Sequence, residues 1–125
     1  MFVLDLATGD ETQLTDWELN AGYPDWSPDG NWIVFSTHPF WSFNHDDVIS
    51  NLYRMSPDGS GIEQLTFYDT PNLRANQARY TPDGEWIVFT MDTGRAREIW
   101  VMSAGGGEPM ALIKGGIHTH PSWQP

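Results

Sequence analysis

The chain has 125 residues, a formal net charge of −11 and no cysteine, with seven Trp, six Phe and four Tyr. That aromatic share is too high for a disordered acidic chain and fits one folded domain or part of one. Five Arg and one Lys without a basic block argue against nucleic acid and anionic membrane surfaces, and favour a cationic partner, a metal ion or a neutral ligand. The lack of cysteine excludes disulfides, thiolate metal sites and cysteine nucleophiles. No apolar run approaches membrane-spanning length, and no basic segment followed by an apolar core marks a signal peptide.

Phe2-Val3-Leu4-Asp5 reads as a strand from the outset, as if a repeating unit were entered midway. It leads through Gly9 to a second short strand at Gln13-Leu14-Thr15. The same hairpin recurs as Leu52-Tyr53-Arg54-Met55 to Gln64-Leu65-Thr66, and again as Ile99-Trp100-Val101-Met102 to Ala111-Leu112-Ile113. Each copy keeps a spacing of ten positions between its markers, Leu4 to Leu14, Met55 to Leu65 and Met102 to Leu112. A Gly-rich turn separates the two strands each time.

Between these hairpins lies a second one. Tyr23-Pro24-Asp25-Trp26-Ser27-Pro28-Asp29-Gly30 is followed by Asn31-Trp32-Ile33-Val34-Phe35. It recurs as Gln77-Ala78-Arg79-Tyr80-Thr81-Pro82-Asp83-Gly84 followed by Glu85-Trp86-Ile87-Val88-Phe89, and begins a third time at His120-Pro121-Ser122-Trp123. Pro28 presets φ for the turn, Asp29 bonds its own backbone and Gly30 takes the positive φ that closes a hairpin. The unbroken apolar run after the turn predicts a strand covered on both faces, since a half-exposed strand would alternate. Asp29, Asp58 and Asp83 are read as turn formers.

Eleven strands are expected: two over residues 1–15, four over 22–67, four over 77–113, and one over 119–125. No segment has a helical apolar period. A unit of roughly 50 residues holding four antiparallel strands is the sequence mark of a β-propeller blade. The fold class is therefore all-β, a propeller segment of about two and three-quarter four-stranded blades forming one partial domain.

The pattern resembles the TolB-type propeller repeat. The residues that carry it are Pro24, Trp26 to Gly30, Trp32 to Phe35, Met55 and Leu65-Thr66, then Tyr80 to Gly84, Trp86 to Phe89, Met102 and Leu112, with Pro121 and Trp123 in the last copy. The departures are Thr81 in place of Ser, Ile113 in place of Thr, and an insertion at 38–50. The resemblance implies a closed ring of six or more blades, and a periplasmic or extracellular setting. Ring closure then calls either for a longer chain or for a homo-oligomer, most simply a dimer completing a six-bladed ring. An open arc of blades would leave unpaired edges and apolar faces exposed.

The variable loops gather at the strand ends opposite the Pro-Asp-Gly turns, where loops on a rigid scaffold carry function. That loop face, with the channel, is the candidate partner or ligand surface: Trp17, Tyr68, Arg74 and Arg95, with His38, Trp41, His45, Asp46 and Asp47 of the insertion. On a strand, side chains at i and i+2 share a face, so both imidazoles of His118-Thr119-His120 can reach one divalent ion. The His-x-His is also similar to the one that oligogalacturonate lyases place at the start of a propeller strand for a metal. That family adds a Gln upstream, where this chain has Gly115 and Gly116. Because His120 shares its repeat position with Tyr23 and Gln77, channel lining explains it equally. No Gly-x-Ser-x-Gly elbow is present, and the three glycines at 105–107 sit in a hairpin turn with no Lys after them.

A non-enzymatic binding or scaffolding module for a protein or a small-molecule or carbohydrate ligand is the expected function, with no cofactor beyond that divalent metal. The alternatives are a metal-assisted polysaccharide lyase and the substrate-gating propeller of a serine peptidase.

Overall fold

The computed structural model describes residues 1–37 and 48–123. The insertion residues His38, Trp41, His45, Asp46 and Asp47 lie outside the described residues. Ten strands and no helix occur among the described residues: β1 Phe2–Leu4, β2 Glu11–Gln13, β3 Ala21–Trp26, β4 Ile33–Thr37, β5 Asn51–Met55, β6 Glu63–Gln64, β7 Arg74–Tyr80, β8 Trp86–Asp92, β9 Arg97–Ser103 and β10 Met110–Ile113. They form an antiparallel pair β1-β2 and two four-stranded sheets in simple meander order, β3-β4-β5-β6 and β7-β8-β9-β10. The second sheet starts at Arg74, three residues ahead of the sequence expectation.

The turn chemistry explains why the hairpins form where they do. Gly30 and Gly84 adopt φ of 74° and 73°, the left-handed geometry the turns require. Ser27 donates its hydroxyl to Asp29 (2.5 Å) and accepts the amide of Trp32 (2.9 Å). Thr81 does the same for Asp83 and for the amide of Trp86 (3.0 Å), so the Thr-for-Ser departure leaves the turn intact. What both positions need is a β-hydroxyl.

Alternate residues of the apolar strands face two different neighbours. Ile33 and Phe35 point with Met55 toward Leu14, Met1 and Val3, whereas Val34, Leu52 and Leu65 meet Ala75, Ala78, Ile87, Phe89 and Met102. Phe35 and Phe89 are fully buried, each burial being worth roughly 2–3 kcal/mol. The sheets therefore stack face to face as successive blades, and β3 packs against β7.

The Leu-Thr at the end of each hairpin has its own task. Thr66 Oγ1 accepts the amide of Leu52 (2.9 Å), and Thr15 Oγ1 accepts the amino group of Met1 (2.8 Å). Ile113 has no hydroxyl to offer, and there the β9–β10 ladder shifts register between Ala111 and Ile113.

The eleventh strand is not formed among the described residues. Residues 117–123 nevertheless occupy its place: Ile117 bridges Arg97 in parallel as Arg74 bridges Ser50, and His118 donates its amide to the Arg97 carbonyl (2.9 Å). Among the described residues no second strand lies beside this segment to complete a ladder, so it keeps the path of a first strand without its pairing.

Candidate functional site

The first strand of each blade carries a left-handed step at the same repeat position. Tyr23, Gln77 and His120 have φ of 54°, 54° and 55°. In β3 and β7 the step lies inside a register shift, between Gly22 and Asp25 and between Asn76 and Arg79. A non-Gly residue held there costs about 1–3 kcal/mol, and a bulge re-aims its side chain. The three steps turn toward one hollow of about 470 Å³, lined by Tyr23, Asp25, Gln77, Arg79, His120 and Trp123 among others.

Polar contacts tie the hollow across blades. Gln77 Nε2 lies 3.1 Å from His120 Nε2, and Gln77 Oε1 accepts the amide of His120 (3.2 Å) and the hydroxyl of Thr90 (3.1 Å). Asp25 accepts the Arg79 guanidinium (2.8 Å) through one oxygen and the Tyr80 amide (2.9 Å) through the other. Behind it, burial pushes the Tyr80 phenol up to about 12, and its hydroxyl has no partner among the described residues.

His118 and His120 line different hollows. His118 stands with Val88, Ile99, Leu112 and Ile117 around a second space of about 530 Å³, while His120 belongs to the hollow of the first strands. The alternation that would aim both rings one way is broken by the left-handed φ of His120. No group of three or more His, Asp or Glu side chains able to hold a metal occurs among the described residues.

Of the other loop-face residues, Trp17 is 76% exposed in a turn closed by the Asn20 amide on its carbonyl (3.2 Å). Tyr68 is half-buried after β6, Arg74 opens β7, and Arg95 stands exposed between β8 and β9. Asp29, Asp58 and Asp83 are occupied as turn acceptors, and bonds from Ser27, Ser60 and Thr81 respectively hold each carboxyl below its ordinary range. Sequence reasoning reached His120 and its kinship with Tyr23 and Gln77 through the repeat alignment. It missed Asp25 and Arg79, which share one repeat position with opposite charges.

Antiparallel four-stranded sheets stacked face to face, with their first strands around a polar hollow, define a β-propeller segment. No family model matches the chain. It is 32% identical over 107 residues to the Tol-Pal system protein TolB of Anaeromyxobacter dehalogenans, covering 80% of the chain and 21% of that protein. It is 28% identical over 137 residues to an uncharacterised protein of Agrobacterium fabrum, covering all of the chain and 43% of that protein. Among solved structures, TolB from Acinetobacter baumannii superposes with a TM-score of 0.71 at 28% identity, over 94% of this chain and 27% of that one. A putative TolB from Agrobacterium tumefaciens gives 0.72 at 26%, over 95% and 43%. The chain belongs to the TolB-like β-propeller family. It spans less than half the length of the curated relatives it matches. A structure of prolyl endopeptidases shares the fold at 16% identity, with a TM-score of 0.67 over 91% of this chain and 18% of that one.

Proposed function

We propose that this chain is a non-enzymatic binding segment that uses the hollow of its first strands, and the loops around its mouth, to hold a protein partner. The observation that carries this reading is the repeated left-handed step. Three non-Gly residues, Tyr23, Gln77 and His120, are held in a costly conformation at one repeat position, and all three line the same hollow. Strain kept at matching positions of successive blades is explained by a surface that must present those side chains. The Anaeromyxobacter relative is named as a protein of the Tol-Pal system, which favours a protein over a carbohydrate as the partner. A lyase would need His118 and His120 around one ion, and the two line adjoining hollows, which share Pro121, Ser122 and Trp123, rather than a common one. The peptidase-gating alternative has only the shared fold behind it.

A periplasmic or extracellular setting belongs to the same reading, as does association with further blades. Photo-crosslinking tests the binding surface. A photoreactive residue placed at Tyr23 or Trp17 is expected to yield discrete protein adducts in cell extract, and one placed at Glu85 or Asp58 on the turn face is not. Equal adducts from both faces, or adducts from the turn face alone, would overturn the assignment.

A further inference from the structure

The seam between the two complete sheets opens into a groove away from the first strands. One wall is Thr66, Phe67 and Tyr68, where the chain leaves β6; the other is Trp100 of β9 with Glu108 and Pro109 before β10. Together they line about 470 Å³. The preceding seam is shut at the equivalent place. A Cβ on Gly59 would stand 2.8 Å from the Leu14 carbonyl oxygen, whereas a Cβ on Gly106, its repeat counterpart, would meet nothing within 4 Å.

Both walls are held by dedicated polar contacts. Asn51 accepts the Tyr68 amide (2.8 Å) and the Thr66 hydroxyl (2.9 Å), and donates to the Tyr68 carbonyl (3.0 Å). Across the groove, the Trp100 indole N–H donates to Glu98 (2.9 Å), which also accepts the amide of Gly115 (3.0 Å). Phe67 is 74% exposed at the rim. Burial, and next the charge of Glu108, raise the Tyr68 phenol above its usual range, so the carboxylate lies within electrical reach of the ring. The groove is thus aromatic, fixed in place and acidic, and none of its lining residues is basic.

The same molecule shows what satisfies such a set. Arg54 lies 4.1 Å over the Trp32 ring while its Nε donates to Glu63 at 2.6 Å. Indole, guanidinium and carboxylate are complete there. In the groove Trp100 and Glu108 supply the indole and the carboxylate, and the guanidinium is the missing member. A planar cation against aromatic rings with a carboxylate at hand is a favourable pairing, and a chain of net charge −11 draws cationic partners toward it.

We propose that this groove receives an arginine side chain presented by a protein partner, with Trp100 and Tyr68 as its aromatic walls and Glu108 as its counter-charge. The site is separate from the hollow of the first strands and does not depend on it. The test is an amide and indole NMR titration of the chain with an end-blocked Gly-Arg-Gly peptide and its citrulline counterpart. The arginine peptide is expected to shift the Trp100 indole N–H and the amides of Phe67, Tyr68 and Glu108, with the citrulline peptide binding at least about fivefold more weakly. Glu108→Gln, at an exposed position, is expected to weaken the arginine peptide by roughly three- to tenfold. Glu85→Gln, an exposed carboxylate on the turn face, is expected to leave it unchanged. Equal affinity for citrulline, insensitivity to Glu108→Gln, or shifts confined to the hollow would each overturn the proposal.

Discussion

Gln77 and His120 stand 43 residues apart, yet each takes the same left-handed step in its own blade, and their side chains meet at 3.1 Å. Gln77 Oε1 also serves the His120 amide and the Thr90 hydroxyl, and Thr90 is 1% exposed. Replacing Gln77 with Leu strands a buried hydroxyl, so a loss of about 1–2 kcal/mol is expected in urea unfolding. Gln77→Glu keeps the acceptor and is expected to cost less. A Leu variant as stable as the parent would show that the buried Thr90 hydroxyl does not depend on Gln77.

Asp25 makes a second link between blades, and its two bonds are unequal. Arg79 is half-exposed, so its ion pair is worth about 0–1 kcal/mol. The Tyr80 amide instead loses its acceptor in a buried setting if Asp25 is removed, at about 1–3 kcal/mol. Asp25→Ala is therefore expected to destabilise clearly more than Arg79→Ala. A double-mutant cycle measures the ion-pair term alone, and equal single-variant losses would contradict the asymmetry.

The repeat makes most of this fold legible in the sequence. Pro-Asp-Gly turns and unbroken apolar runs located the hairpins, because turn geometry and two-sided burial leave direct marks on residue type. The eleventh strand was legible as a path but not as a strand, since pairing depends on a neighbour that the motif itself does not encode. The histidine pair shows a related limit of the sequence pattern. The two-residue alternation assumes regular φ, and His120 departs from it at a left-handed step that no single copy reveals. Tyr23 and Gln77 held the signal, being dissimilar residues at the same step. Asp25 and Arg79 were hidden because a contact between repeats shows as opposite charges at one position, which looks like ordinary variation between copies.

The turns separate what a hydroxyl does from what a glycine does. Gly30→Val and Gly84→Val force a β-branched residue to positive φ and are expected to cost about 1–3 kcal/mol each. Thr81→Ser keeps the bonds to Asp83 and to the Trp86 amide and is expected to stay within about 0.5 kcal/mol of the parent. Thr81→Val keeps the shape, removes the acceptor and is expected to lose about 1 kcal/mol or more. Chemical denaturation of the three variants checks the order, and a neutral Thr81→Val would show that shape alone matters there.

Apolar side chains stand open at both ends of the stack. Phe2, Leu4 and Leu6 are 51%, 51% and 90% exposed at one end, and Leu112, Ile113 and Ile117 are 55%, 47% and 80% exposed at the other. Within the stack the corresponding faces are covered by the next blade, which buries Val34, Leu52 and Leu65. Isolated at micromolar concentration, the chain is expected to self-associate through these ends. Sedimentation velocity checks this, and a folded monomer across that range would refute it.

Acid should loosen the hairpins in a way that can be traced to three residues. Asp29, Asp58 and Asp83 each lie below the ordinary carboxyl value of 3.8, chiefly through hydroxyl bonds from Ser27, Ser60 and Thr81, then through backbone amides. A carboxyl whose folded value is depressed binds its proton more readily when unfolded. Its contribution is therefore complete above about pH 4–5 and is lost as pH falls toward the lower folded value. All three are solvent-exposed, so each contribution is modest and the comparison must be differential. The urea midpoint of the parent is expected to drop between pH 5 and pH 3. In an Asp29→Asn/Asp58→Asn/Asp83→Asn variant, which keeps turn-forming side chains without a titrating group, the midpoint should start lower at pH 7 and fall less over the same interval. Equal falls in both proteins would mean that the acid response comes from other carboxylates.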